Sequence, residues 1–251
     1  MVSFVIRVAE QIIGISAQHT STEEYCKDYV TVEQPNYYIE IKEDDISYEW
    51  EKYRLETAGV KRTIQSATNL QLELTAIQRK LNEMMYSADV LLFHGSVVAI
   101  DGNAYLFTAK SGTGKSTHTR LWREVFGDRA VMVNDDKPFL QLTENGVIAW
   151  GSPWNGKHRL GSNIGVPLKA ICILERSNEN WIKSINPAQA LPMLFQQSQR
   201  PRNPANMPKY MELVDKLANS VEFYRMGCNM DPEAALVSYE AMSRGRKEEK
   251  T

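Results

Sequence analysis

No stretch of this chain approaches the roughly 18 consecutive apolar residues that a membrane helix requires, and only three cysteines, Cys26, Cys172 and Cys228, stand in its 251 residues. The first absence excludes a membrane-spanning helix, so no membrane partner is expected. The second, odd in number and widely spaced, excludes a disulfide framework and points to a reducing, cytoplasmic compartment. Charge of one sign is lacking too, since 29 basic and 31 acidic residues leave a formal net charge of -2. No global field draws such a chain to nucleic acid, and any contact with an anion must be local. The opening MVSFVIRVAEQIIGIS has no basic leader and no small-residue cleavage site, and reads as a strand rather than a signal peptide. Internal repeats and low-complexity linkers are missing as well. What remains is a globular composition, 43% hydrophobic, that can bury a sizeable core.

The pattern along the chain suggests a β-rich part, residues 1–89, with one long helix and packed on the same domain as residues 90–251. Residues 1–16 and 37–46 show β-branched and aromatic residues in partial alternation. Residues 21–30 read as a short helix capped by Ser21 or Thr22, with Glu24 in capping-box spacing from Ser21. Over 69–86, Leu70, Leu74, Ile77, Leu81 and Met85 recur at three- and four-residue intervals and predict a helix. An apolar run over 90–100 is interrupted by His94-Gly95-Ser96; the turn Asp101-Gly102-Asn103 then joins it to 104–108 as a hairpin. Helical composition follows at 116–126 and a strand at 130–133. Further strands are expected at 138–142, 146–150 and 168–174, with a loop over 151–167, and helices at 188–199, 208–220 and 232–244. A proline-broken basic loop lies at 199–206, and the charged tail 244–251 reads as frayed.

Chemistry is announced by Ala109-Lys110-Ser111-Gly112-Thr113-Gly114-Lys115-Ser116, between an apolar strand and a helical stretch. In a phosphate loop, successive backbone N–H groups and a helix N-terminus converge on an anion while glycines keep side chains away. Ser111, Gly112, Thr113, Gly114, Lys115, Ser116 and Thr117 are therefore assigned to ATP, with Lys115 on the β- and γ-phosphates and the Ser116 hydroxyl on Mg²⁺. Ala109 stands where the usual pattern has glycine. About twenty residues later, the apolar strand ending in Asn134-Asp135-Asp136 supplies two carboxylates, one to hold Mg²⁺ and one to accept the proton of an attacking hydroxyl. The loop Gly151-Ser152-Pro153-Trp154-Asn155-Gly156-Lys157-His158-Arg159-Leu160-Gly161 offers Lys157, His158 and Arg159 to phosphate or to an anionic acceptor.

His94-Gly95-Ser96, the phosphate loop and Asp135-Asp136, in that order and spacing, resemble the catalytic domain of HPr kinase/phosphorylase across roughly residues 90–175. The resemblance implies an α/β fold of the phosphoenolpyruvate carboxykinase-like P-loop type, with mixed, largely antiparallel sheets and flanking helices. It implies ATP and Mg²⁺ as cofactors, and transfer of the γ-phosphoryl to a serine-type hydroxyl of a protein, peptide or small molecule. Asp135 would be the general base with His94 close by to tune it, and Asp136 would assist the metal; the two aspartates could exchange these roles. The ring assembly of HPr kinases implies a possible homo-oligomer. The chain departs from that family in lacking the glycine-rich signature after the aspartates, which argues against HPr as acceptor and against a phosphorylase activity. Related proteins of similar size phosphorylate a serine of a ribosomally made peptide.

Two alternatives remain open at this point. One is an ATP-binding regulatory module that hydrolyses slowly or not at all; the other is a carboxykinase-type enzyme, for which the chain is short and an oxaloacetate-binding arginine set is not evident. A nucleic-acid motor would need basic and aromatic tracking surfaces that the sequence does not show.

Overall fold

The computed structural model describes residues 1–58 and 67–245, so the expected frayed tail falls, beyond residue 245, outside the described residues. The chain divides into two compact units, Met1–Met85 and Tyr86–Thr251.

In the first unit the elements are β1 (Val2–Val8), β2 (Gln11–Ala17), α1 (Ser21–Tyr25), β3 (Tyr37–Glu40), α2 (Glu43–Thr57) and α3 (Asn69–Met85). The N-terminal apolar stretch is a hairpin and not one strand: Ala9 and Glu10 both take positive φ, 47° and 63°, and turn the chain so that Val8 faces Gln11 and Val2 faces Ala17. β3 joins β2 in parallel. The strand expected to run to residue 46 stops at Glu40, because Glu43, Asp44 and Asp45 occupy the first turn of a helix, where acidic groups favour the helix dipole. Asp45 also accepts a hydrogen bond from the Lys42 N–H at 3.1 Å. This unit thus has a second long helix, α2, which no apolar stripe reveals: its one buried residue is Glu49. The capping box expected at Ser21 does not form. Thr20 takes the cap position without a side-chain bond, and the Thr22 hydroxyl instead donates to the buried Glu73 carboxylate, which also accepts the Gln18 N–H at 2.5 Å.

The second unit holds β4 (Val90–Leu92), β5 (Ser96–Ile100), β6 (Asn103–Thr108), α4 (Lys115–Phe126), β7 (Val131–Asn134), β8 (Phe139–Thr143), β9 (Gly146–Trp150), β10 (Gly165–Arg176), β11 (Trp181–Ile185), α5 (Pro187–Gln197), α6 (Met207–Ser220), β12 (Glu222–Cys228) and α7 (Glu233–Arg244). Its fold is mixed α/β, with a curled sheet and flanking helices. The strand order is β4-β8-β9-β10-β6-β5-β7, with β12 alongside β10 and β11 alongside β12. β10 turns the corner: its first residues pair antiparallel with β9, and from Leu168 and Ala170 onward it runs parallel to β6 and β12. β11 and β12 were not expected from the sequence, where Lys183, Glu222 and Arg225 interrupt short apolar patterns.

Strands covered on both faces read as continuous apolar runs rather than alternating ones, and the central strands show why. Val97, Ala99, Leu106, Ile171 and Ile173 belong to one core with Leu194, Leu213 and Leu217 of α5 and α6. Val98, Ile100, Phe107, Cys172 and Leu174 belong to another with Leu121, Trp122 and Met242 of α4 and α7. Cys172 is fully buried there, as a small core residue.

The second core contains one titratable group with a consequence for stability. His118 packs edge-on against Phe107, with ring centroids 4.5 Å apart, and its Nε2 lies 3.0 Å from Ser238 Oγ. Burial pushes its pKa down to about 4. The folded value lies below the unfolded one, so protonation favours unfolding; the stabilisation is complete above about pH 6.5 and is lost as pH falls toward 4. From about pH 7.5 to about pH 4.5 this residue is expected to remove about 2–3 kcal/mol of stability. His118→Gln should flatten that part of the pH dependence in urea titrations, and an unchanged pH slope would contradict the assignment.

Candidate active site

β6 delivers the chain to the loop through Thr108 and Ala109, both fully buried. Ala109 keeps negative φ, whereas Gly112 and Gly114 take φ of +78° and +120°. An added Cβ would meet nothing within 4 Å at Gly112 and only Thr117 Cβ at 3.9 Å at Gly114, so backbone conformation, not space, demands glycine there. The same comparison explains why alanine is accepted at 109: that position needs no left-handed conformation. The loop is tied at both ends. Lys115 Nζ donates to the Ala109 carbonyl at 3.2 Å, and Arg176 Nη2 donates to the Gly112 carbonyl at 2.6 Å. α4 then begins at Lys115, presenting its unpaired N–H groups to the loop.

β7 brings up the carboxylates, and Asn134 fixes the turn that displays them. Its side-chain oxygen accepts the Asp136 and Lys137 N–H groups at 2.9 and 2.7 Å, while its amide donates to the Ser152 carbonyl and hydroxyl, each at 3.1 Å. Ser152 Oγ donates in turn to the Lys137 carbonyl at 2.6 Å. Asn134 and Ser152 are fully buried, so Asn134→Ala would strand several polar groups. A loss of about 2–4 kcal/mol is expected, readable as a lower urea midpoint, with a value near zero contradicting the structural role.

The two aspartates occupy different surroundings. Asp135 is 8% exposed; Ser96 Oγ donates to its Oδ1 at 2.6 Å and lies 2.9 Å from Thr119 Oγ1 of α4. Gly156, at φ +73°, brings the following loop close, since a Cβ there would stand 3.6 Å from Asp135 Oδ2. Asp136 is more open and has two nitrogen groups beside it: His94 Nε2 lies 3.4 Å and Lys137 Nζ 3.6 Å from its Oδ1. Of the two aspartates, whose roles the sequence left exchangeable, the strand kink places His94 against Asp136. That kink is pinned by the His94 N–H to the Gln197 carbonyl at 2.8 Å, by Thr108 Oγ1 to the His94 carbonyl at 3.0 Å, and by the Gly95 N–H to the Asp136 carbonyl at 3.1 Å. A Cβ at Gly95 would come within 2.9 Å of Leu106 Cδ2 and 3.1 Å of the Phe107 carbonyl oxygen, so any other residue would force its surroundings to shift. Burial, then the charges of Lys137 and Lys115, push the His94 pKa down to about 4, which leaves a neutral imidazole at physiological pH. Burial also lowers the pKa of Lys115, against the attraction of Asp136.

One cavity of about 720 Å³ gathers His94, Ser111, Gly112, Gly114, Lys115, Ser116, Thr117, Asp135, Asp136 and Lys157. Thr113 and Arg159 of the sequence-selected residues are not in its wall. Arg120 and Arg123 of α4, His158 and Thr119 are. The arginines had a usable signal, four and seven residues after Ser116 on one face of a helix. Ser96, Asn134, Ser152 and Lys137 had none, because their roles arise from strands and loops distant in sequence. Trp154 is 8% exposed and packs into its own unit, outside the cavity wall. Arg200 and Arg202 are likewise not part of that wall.

The family model of SynChlorMet cassette protein ScmC matches residues 62–232. Among solved structures, the Hpr(Ser) kinase/phosphatase from Coxiella burnetii is similar over 61% of this chain and 93% of its own, with 13% identity and a TM-score of 0.33. No curated protein matches. No helix among the described residues is long and apolar enough to cross a membrane.

Proposed function

We propose that this chain, which belongs to the SynChlorMet cassette protein ScmC family, is an ATP- and Mg²⁺-dependent kinase that transfers the γ-phosphoryl group to a serine-type hydroxyl of a protein, peptide or small molecule. The observation that carries the reading is one cavity in which a glycine-formed anion loop with its lysine faces two aspartates held in unlike environments. A passive nucleotide site has no need of two such carboxylates, whereas phosphoryl transfer to a hydroxyl needs one for the metal side and one for the proton.

In this reading the loop N–H groups and Lys115 bind the β- and γ-phosphates. Ser116 and Asp135 hold Mg²⁺, which neutralises phosphate charge when bound. Their hydroxyl and carboxylate fit a hard cation. Phosphate oxygens and water would complete the ligand set that a hard divalent cation takes. Asp136 accepts the proton of the acceptor hydroxyl. The neutral His94 and the Lys137 ammonium flank its carboxylate and orient it toward the hydroxyl. This assignment exchanges the roles given to the aspartates on sequence grounds, and the position of His94 is the reason.

Purified protein should be stabilised against heat by ATP with Mg²⁺ and less by ATP with chelator, and should form ADP faster when hydroxyl acceptors are supplied. Thermal stability indifferent to ATP, with no ADP formed under any condition, would refute the proposal.

A further inference from the structure

We infer that the acceptor carries carboxylate groups beside its hydroxyl, and that Arg120, Arg123, Lys157 and His158 form the subsite that receives them. The inference rests on the kinase reading above and deepens it. The cavity does not end at the phosphates. On α4, Arg120 and Arg123 continue the face of Ser116, roughly 6 and 10 Å further along the helix axis, and Lys157, His158 and Leu160 of the 151–164 loop line the same cavity with Met132 of β7.

Two features make this lobe an anion site rather than a solvated rim. The phosphates already have their donors in the loop N–H groups and Lys115, so these further basic groups exceed what the nucleotide requires. Arg123 lines the cavity, and its buried Nε has no hydrogen-bond partner among the described residues, so a guanidinium that turns toward a bound oxyanion would gain a bond it lacks. Arg120 is balanced by Glu124 at 2.5 Å, but both are about half exposed and such pairs open at little cost. Direction follows from the aspartates. Met132, Arg120 and Arg123 line the same cavity as Asp136, so carboxylates held by the arginines would share the space through which a hydroxyl reaches Asp136. Carboxylates bound there would align the hydroxyl, with Leu160 and Met132 giving its carbon skeleton an apolar contact.

The test uses the full chain loaded with Mg²⁺ and non-hydrolysable AMP-PNP, so that no turnover is needed. Two probes are titrated, a serine hexapeptide flanked by glutamates and the small hydroxy acid malate, beside a glutamine-flanked peptide as neutral control. At least one acidic probe should bind tenfold or more tightly than the control, and the arm that binds identifies the source of the carboxylates. Arg120→Gln with Arg123→Gln should abolish this preference with AMP-PNP affinity unchanged, and Arg120→Gln alone, at an exposed position that folding does not need, should weaken acidic binding about threefold. Lys183→Gln, remote from the cavity, should change nothing. Failure of both acidic probes, equal binding of the neutral peptide, indifference to the arginine changes, or loss of AMP-PNP affinity in their place would each overturn the inference. If an acidic probe binds but ATP transfers to nothing, the kinase reading falls and the subsite stands; if transfer occurs with no acidic preference, the reverse holds.

Discussion

Asp136→Asn is expected to lower phosphoryl transfer from MgATP by about 10²–10⁴-fold, the range a positioned general base supplies, while nucleotide affinity changes by less than about threefold. Asparagine keeps the size of the side chain, and the turn is held by Asn134 and Ser152 rather than by Asp136. What is lost is the carboxylate's capacity to take a proton, beside a His94 that is neutral because burial and two lysines depress its pKa. Asp135→Asn should behave differently. Its neighbours are Ser96, Thr119 and the loop around Gly156, so its removal should raise the Mg²⁺ concentration needed for half-maximal rate, and added Mg²⁺ should restore part of the activity. If excess Mg²⁺ rescues Asp136→Asn and not Asp135→Asn, the two roles are the other way round. If neither substitution lowers transfer tenfold, neither aspartate is the base.

Lys115→Ala should weaken MgATP binding by about 10–150-fold, corresponding to the roughly 1.5–3 kcal/mol of a hydrogen bond to a charged group. Lys115 is only 9% exposed, and burial already costs it part of its preference for the charged form. A polyanion beside it repays that cost, so the pair is worth more than a surface contact. Lys115→Arg should not restore affinity, because the amine is anchored on the Ala109 carbonyl at 3.2 Å and a planar guanidinium cannot occupy the same corner. Equilibrium titration with a fluorescent ATP analogue reads both variants. Affinity unchanged in Lys115→Ala would mean that the nucleotide, if bound at all, lies elsewhere.

The parts legible in the sequence were those whose cause is local. The phosphate loop is a short contiguous segment with two φ-permissive glycines, Gly112 and Gly114, before a helix, the Asp101-Gly102 hairpin is a turn rule, and α3 is an apolar stripe. α2 was hidden because it buries almost no apolar surface and is started by three acidic residues after Lys42. The position of His94 could not be read because the kink at Gly95 is dictated by contact with Leu106 and by a bond to the Asp136 carbonyl, both distant in sequence. The Ser96 to Asp135 bond and the Asn134 to Ser152 pair are of the same kind. The alanine at 109, a blemish in the motif, loses its importance once its φ is known to be ordinary.

The most direct measurement follows the γ-phosphoryl group itself: the protein is incubated with Mg²⁺, ATP labelled at the γ-position and hydroxyl-bearing acceptors, and label is counted in phosphomonoester and in free phosphate. The account predicts that label enters an acceptor phosphomonoester in proportion to the ADP formed, and that Asp136→Asn abolishes this while still binding ATP. Label appearing only as free phosphate, at a rate no acceptor changes and that Asp136→Asn does not affect, would contradict it.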